Sequence, residues 1–226
     1  MSGVWRGLPV KMEISAEQPL ALLAGKTSQT SLKIEGDPGL ITYDGVLGLY
    51  DSLFADGSLT LSTASMSALL DWVKADIGPG RAIGALSLAG PVKVANRRAR
   101  FETASISLDG NEGTGVLEIG FDNDMPPLVA GTLDFETLDL ARFVGAFLQL
   151  PGDIFSSNTE LELDFISQLR ADLRLSAQTA QLGFTRLENL AATAQIGDAS
   201  AIFDIGDAQA YGGNIQARLQ FNRGKY

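Results

Sequence analysis

The sequence predicts a mainly β protein: an elongated, curved antiparallel sheet, groove or open sandwich, built from repeated meander units with two short amphipathic helices. Three observations predict this fold class. Four segments alternate strictly between apolar and polar residues, glycine-containing turn sequences separate many of the segments, and one strand-to-helix line occurs twice. Strict alternation gives a sheet one apolar and one solvated face, which is typical of antiparallel rather than doubly covered parallel sheet.

The repeated line defines the organisation of the chain. Residues 57–73 (GSLTLSTASMSALLDWV) recur as residues 131–147 (GTLDFETLDLARFVGAF). In each copy a glycine opens a short alternating strand, and apolar residues then follow at helical spacing. We predict a single elongated β-rich region over residues 1–226, with repeat units at about 40–125 and 126–226. Strand-like sequence reaches both ends, so we expect this region to be part of a longer polypeptide.

The strictly alternating segments are residues 115–121, 159–165, 169–175 and 214–221. In each of them the apolar side chains share one face of the strand. Segments 159–165 and 169–175 are close enough to form a hairpin that turns near Ser167. That hairpin would set Asp164 across from Arg170 and Glu160 across from Arg174.

Glycine marks the predicted turns between strands, because it tolerates the positive φ that tight hairpins need. Longer loops are predicted at residues 78–80 and 125–127, where proline accumulates. The predicted turns are Asp44-Gly45, Asp56-Gly57, Asp109-Gly110-Asn111, Gly197-Asp198, Gly206-Asp207 and Gly212-Gly213-Asn214.

Two amphipathic helices are predicted, one in each copy of the repeated line. Ser65 is the expected N-cap of the first and Gly78 its stop, whereas Pro151-Gly152 ends the second. We expect both apolar stripes to pack on their own sheet. The stripes are Met66, Leu69, Leu70, Val73 and Ile77 in the first helix, and Leu140, Phe143, Val144, Phe147 and Leu148 in the second.

Composition excludes several classes of function. The net charge of −10 and pI of about 4.4 argue against nucleic acid, because phosphates are neutralised by clustered Lys and Arg. The chain has no Cys and no His, which removes zinc-finger patterns, thiol nucleophiles and the Ser-His-Asp relay. No apolar run has the roughly 20 residues of a membrane-spanning helix. We therefore expect a protein that is not an enzyme, without metal or cofactor.

Two acidic patterns have both a functional and an ordinary structural interpretation. Paired carboxylates on one strand face, Glu160 with Glu162 or Asp134 with Glu136, have a spacing compatible with glycoside hydrolysis. The same spacing occurs on any solvated strand face, which is the favoured interpretation. Residues 109–115 offer oxygen ligands for calcium, but they lack the EF-hand order, and a β-turn explains them more simply.

Several segments resemble the AsmA family, which is related to TamB. The resemblance lies in residues 101–111 (FETASISLDGN) with Gly113 and Gly115 following, and in residues 208–217 (AQAYGGNIQA). The repeated line fits the same pattern, as does Asp172-Leu-Arg-Leu-Ser176. The resemblance extends from about Trp5 to the end of the chain and corresponds to a C-proximal part of a longer protein.

The resemblance implies an elongated β-groove with a hydrophobic inner surface, held in the Gram-negative periplasm by an N-terminal inner-membrane helix outside this sequence. It implies phospholipid binding or transport between inner and outer membrane, in support of outer-membrane assembly, and it supplies no catalytic residues. The candidate contacts for phospholipid acyl chains are Leu117, Ile119, Phe121, Leu133, Phe135, Leu161, Leu163, Phe165, Leu173, Leu175, Leu219 and Phe221.

An alternative function remains open at the level of sequence. The same apolar residues would close on each other in an ordinary β-sandwich core. The protein would then be a structural module that binds no lipid, and its β edges would pair with neighbouring repeats or with other envelope proteins.

Overall fold

The structure, a computed structural model, describes residues 2–5, 7–49, 52–73, 83–122, 125–148, 168–197 and 200–222, with backbone alone for 146–148. Within these residues, fourteen strands form one long, curved, open sheet with meander connections, and three short helices lie beside it. The predicted fold class is confirmed. The short helix at residues 19–23 was not predicted.

The elements follow the chain in a simple order. The helices are α1 (Pro19–Leu23), α2 (Met66–Val73) and α3 (Leu140–Leu148). The strands are β1 (Ser2–Trp5), β2 (Leu8–Ala16), β3 (Thr27–Gly36), β4 (Gly39–Leu49), β5 (Leu53–Thr63), β6 (Leu86–Ala95), β7 (Arg98–Leu108), β8 (Asn111–Gly120), β9 (Leu128–Asp139), β10 (Arg170–Leu182), β11 (Thr185–Gly197), β12 (Ser200–Ala210), β13 (Gly213–Asn214) and β14 (Ala217–Asn222).

Strand order in the sheet equals strand order in the chain from β1 to β13, and β14 pairs with β12 beside β13. All of these pairs are antiparallel except β9 with β10, which is parallel. β9 ends at α3, on the side of the sheet away from Leu128. Arg170, the first residue of β10, nevertheless pairs beside Leu128, the first residue of β9, so the chain crosses back along the sheet before β10 begins. Parallel neighbours require such a crossover, usually with a helix in it.

The parallel pair overturns the hairpin that was predicted between segments 159–165 and 169–175. Both sides of β10 are occupied, one by β9 and the other by β11. Arg170 lies beside Leu128, and Arg174 lies between Thr132 and Thr193. Residues 159–165 lie outside the described part of the chain. Alternation predicted the strand correctly, but it carried no information about the neighbour.

Three of the predicted glycine turns are wrong. Asp44-Gly45, Asp56-Gly57 and Gly206-Asp207 lie inside β4, β5 and β12. Gly45 and Gly57 are cross-strand partners, and a Cβ on Gly45 would lie 2.4 Å from the Cα of Gly57. Glycine is needed there because two backbones approach closely, not because the chain reverses.

Other turns were predicted correctly. Asp109-Gly110 joins β7 to β8, and Gly212 lies in the turn between β12 and β13. Residues 125–127 belong to the connection between β8 and β9. Gly197 ends β11, whereas Asp198 and residues 78–80 lie outside the described part of the chain.

Both predicted helices form, and each begins at a side-chain cap. Ser65 Oγ accepts a hydrogen bond from the Ala68 amide at 3.2 Å, which confirms Ser65 as the N-cap of α2. Asp139 Oδ1 accepts one from the Arg142 amide at 3.0 Å at the start of α3. Ile77, Gly78 and Pro151-Gly152 lie outside the described residues. α1 was missed because its five residues are too short to produce a helical period.

Candidate functional site: the apolar face of the sheet

The sheet has an apolar face that continues from strand to strand in register. Residues directly opposite each other on paired strands point to the same side. One row of such partners crosses ten strands from β2 to β11, and every member is apolar or glycine. The row is Met12, Ile34, Ile41, Leu61, Leu88, Ile106, Gly113, Phe135, Ala177 and Leu190.

Two further rows carry this apolar face to the last strand. They begin on β8 and end on β14, where Phe221 pairs with Ala201 and Leu219 pairs with Phe203. The apolar face is thus a single surface. The rows are Ile119, Val129, Ala171, Ile196, Ala201 and Phe221, and Leu117, Gly131, Leu173, Ala194, Phe203 and Leu219.

The candidate acyl-chain contacts fall on this face wherever they lie in strands. Leu117, Leu133, Phe135, Leu173 and Leu175 are buried. In contrast, Ile119 and Phe221 are partly buried against the same core cluster, and Leu219 is 44% exposed. Phe121 lies just beyond β8 and is exposed. Leu161, Leu163 and Phe165 lie outside the described residues.

The N-terminal strands carry accessible apolar residues that are not among the predicted acyl-chain contacts. Met12 and Ile14 of β2 lie on the apolar face, and Ile14 is 63% exposed. Trp5 of β1 pairs with Leu8 on the same side and is also exposed. The alternation of Val10, Met12 and Ile14 with polar residues could have identified this region. Exposure is therefore greatest at the first strands and lowest in the middle of the sheet.

Helix α3 packs on the apolar face at β9 and β10. Leu140 and Phe143 are buried in the same core cluster as Leu133 and Leu175, and Val144 packs against it. The packing predicted for this stripe is confirmed for these residues, whereas the side chains of Phe147 and Leu148 lie outside the description. In α2, by comparison, Leu69 is buried and Val73 is exposed.

An apolar cleft of about 280 Å³ separates the α3 stripe from the last strands. Its walls include Phe143 and Val144 on one side and Phe203, Ala217 and Leu219 on the other. The volume is close to the lower end of the ~300–1,000 Å³ range of ligand sites. The cleft is thus an apolar opening where the covered part of the face meets its exposed C-terminal edge.

No family model, curated protein or solved structure matches this chain. The residues of the apolar face are therefore the basis for inferring a function. No helix within the described ranges combines the length and the apolar character needed to cross a membrane.

The opposite face of the sheet is polar and holds charge pairs. Lys11 and Glu13 form an ion pair at 2.8 Å, as do Lys33 and Glu35 on the neighbouring strand. The hydrogen bond from Lys11 lowers the pKa of Glu13 and raises that of Lys11, and Lys33 lowers the pKa of Glu35. All four side chains are exposed and each pair lies within one strand, so these ion pairs contribute little to the stability of the fold.

The acidic patterns have structural roles where the structure describes them. Asp109 Oδ1 accepts the Ala85 amide, and Asn111 Oδ1 accepts the Asp139 amide, so residues 109–111 tie loops together. Asp134 and Glu136 are exposed on the polar face, where Asp134 accepts a hydrogen bond from Ser176 Oγ. Among the described residues no group of His, Cys, Asp and Glu could hold a metal ion. Glu160 and Glu162 lie outside them.

Proposed function

We propose that the chain is a segment of a non-catalytic envelope protein whose apolar face binds phospholipid acyl chains and carries them between inner and outer membrane. The observation that carries the proposal is the apolar row from Met12 to Leu190, which crosses ten strands without a polar interruption. At the usual strand spacing this row runs for roughly 40 Å along the sheet.

Exposure at the ends of the face supports ligand binding over a closed core. Contiguous exposed apolar surface is uncommon in monomers unless it binds something. Trp5, Met12 and Ile14 at one end and Leu219 at the other remain accessible. An acyl chain is a fitting occupant because the hydrophobic effect is non-directional and every member of the row from Met12 to Leu190 is apolar or glycine.

The resemblance to the AsmA family supports the cellular setting of the proposal. It implies a periplasmic location, an inner-membrane anchor in the full-length protein and a role in outer-membrane assembly. The acidic composition, with a net charge of −10, also disfavours a competing nucleic-acid partner.

A second candidate function is a structural module that joins neighbouring repeats or envelope proteins through its β edges. Two observations favour it. Many residues of the apolar face are buried in one core cluster that includes Leu140 and Phe143 of α3, and the outer edges of β1 and β14 are available for a further strand. Edge strands pair readily with other chains through their unused backbone groups.

One pair of substitutions separates these two functions. Ile14→Glu places a charge on the accessible apolar face, whereas Val4→Glu places it on the opposite face of the adjacent edge strand, where Val4 is 75% exposed. Since both side chains are exposed, both variants are expected to fold. After incubation with phosphatidylethanolamine and phosphatidylglycerol vesicles, re-isolated protein is extracted and its phospholipid measured by mass spectrometry.

The proposal expects phospholipid in the unmodified protein and in Val4→Glu, and a marked reduction in Ile14→Glu. A folded protein that retains no phospholipid would contradict it and favour the structural module. Equal retention in all three proteins would place the lipid away from the apolar face and would also contradict the proposal.

A further inference from the structure

The two helices of the repeated line, α2 and α3, differ in whether they pack into the core cluster of the apolar face. Both follow a strand that ends at the same end of the sheet, β5 before α2 and β9 before α3. α3 contacts β9 and β10 and places Leu140 and Phe143 in the core cluster. The buried residue of α2, Leu69, lies outside that cluster. The same local sequence pattern therefore joins the core cluster of the apolar face in one copy and not in the other.

The cover that α3 provides is incomplete. The apolar cleft is bounded by Phe143 and Val144 of α3 and by Leu175, Phe203 and Leu219 of the sheet. Leu175 lines the cleft and pairs beside Leu133, which belongs to the same core cluster as Leu140 and Phe143 of α3, so the cleft is continuous in register with that cluster. An alkyl chain that enters the cleft therefore contacts α3 at the point where the apolar face continues beneath the helix.

We infer that α3 is a displaceable cover, and that an alkyl chain bound in the cleft extends onto the apolar face at β9 and β10 by taking the place of Leu140 and Phe143. This inference rests on the proposed function and specifies how the site is regulated. Helix and alkyl chain compete for the same apolar surface, so only one of them occupies it at a time.

The size of α3 makes displacement feasible. It has nine residues, and helices shorter than about 12–15 residues are marginal on their own in water. Its stability therefore comes from packing on the sheet, together with the cap from Asp139. When a ligand takes over that packing, the helix loses what holds it in place.

The experiment locks α3 to the sheet. Val144 and Leu219 line opposite sides of the cleft, and the chain has no native cysteine, so Val144→Cys with Leu219→Cys gives a unique pair. A bis-maleimide with a cleavable disulfide spacer joins the two thiols, and a reductant releases them. Phospholipid retained from phosphatidylethanolamine and phosphatidylglycerol vesicles is measured before and after release. The control carries the same pair capped with N-ethylmaleimide.

The cross-linked protein is expected to retain about tenfold less phospholipid than the capped control. The cross-link holds α3 on the apolar face, so the conformation that can bind the alkyl chain becomes a minor population. Reduction should restore retention. Equal retention in locked and released protein would overturn the inference and leave the proposed function intact, whereas no retention in the unmodified protein would overturn both.

A second measurement covers the case in which the double variant does not fold. Val144→Cys alone carries an environment-sensitive bimane fluorophore. Addition of the same vesicles should shift its emission to longer wavelength as α3 leaves the apolar face for water. Unchanged emission, with phospholipid bound to the labelled protein, would overturn the inference.

Discussion

The ring of Phe135 on β9 lies directly over Gly113 on β8, its cross-strand partner. A Cβ on Gly113 would lie 2.6 Å from Cδ1 of Phe135 and 2.9 Å from the Asp134 carbonyl oxygen. Phe135 is completely buried and belongs to the apolar row that runs from Met12 to Leu190. The glycine therefore provides the space that the ring fills.

Gly113→Ala is expected to destabilise the protein by about 1–3 kcal/mol, the usual cost of overpacking a core. The added methyl group must displace either the ring or the backbone of β9. Urea unfolding followed by circular dichroism measures the change. Gly197→Ala on β11 is the control, because nothing lies within 4 Å of its added Cβ. A Gly113→Ala protein as stable as this control would contradict the packing described.

The two N-caps give a matched pair of predictions. Asp139→Ala and Ser65→Ala each remove a cap hydrogen bond, and each should cost about 1 kcal/mol. Hydrogen exchange should increase at residues 140–145 in Asp139→Ala and at residues 66–73 in Ser65→Ala. Exchange that rises equally at both helices in either variant would mean that the caps do not act locally.

Tyr43 predicts a pH dependence of stability at high pH. Its hydroxyl donates a 2.8 Å hydrogen bond to the Val46 carbonyl, and burial raises its pKa above the ordinary 10.0. The folded protein holds this proton more tightly than the unfolded chain does. The contribution of Tyr43 to the free energy of unfolding is therefore complete below pH 10, and it is lost as the pH rises through the pKa of the folded state.

Tyr43→Phe should therefore lower stability by about 1 kcal/mol near neutral pH, from loss of the hydrogen bond. The difference between the two proteins should narrow above pH 10. Urea unfolding of both proteins at several pH values between 8 and 11 checks this, since the other titrating groups are common to both. A difference that stays constant or widens above pH 10 would contradict the assignment.

Arg170 anchors the loop between β8 and β9 at the start of the parallel pair. Its Nη2 donates to Asp122 Oδ2 at 2.9 Å and its Nε donates to the Pro126 carbonyl at 3.1 Å. Arg170→Lys keeps the charge but cannot make both contacts, so a loss of about 1 kcal/mol is expected. The rate of amide hydrogen exchange should increase at residues 121, 122 and 125 of this loop. Arg186→Lys, on an exposed arginine, is the control.

The apolar face was predictable from the sequence because alternation determines the side on which a residue lies. Leu117, Ile119, Leu173 and Leu175 were placed correctly for this reason, and the same signal at Met12 would have extended the face to the first strands. Helix α3 was predictable from its i, i+3, i+4 stripe, which tertiary packing preserves.

The pairing of strands was less predictable, because the alternation of apolar and polar residues in a strand does not determine which other strand lies beside it. The hairpin assigned to Arg170 and Arg174 failed for that reason. The sequence predicts turns at Gly45 and Gly57, but glycine favours both a turn and a close approach of two backbones, and the second applies here. The contrast between α2 and α3 also depends on tertiary packing, because their local patterns are alike.

The parallel pairing of β9 with β10 also sets the order in which the chain can assemble. Antiparallel neighbours can zip from their connecting turns, whereas β10 reaches β9 only after the connection of residues 140–169 has closed. Closing a longer loop costs more entropy before any contact forms. The blocks β1–β9 and β10–β14 should therefore form first and join last. Until they join, β9 and β10 each present a bare edge, which makes this junction the point most prone to aggregation during folding.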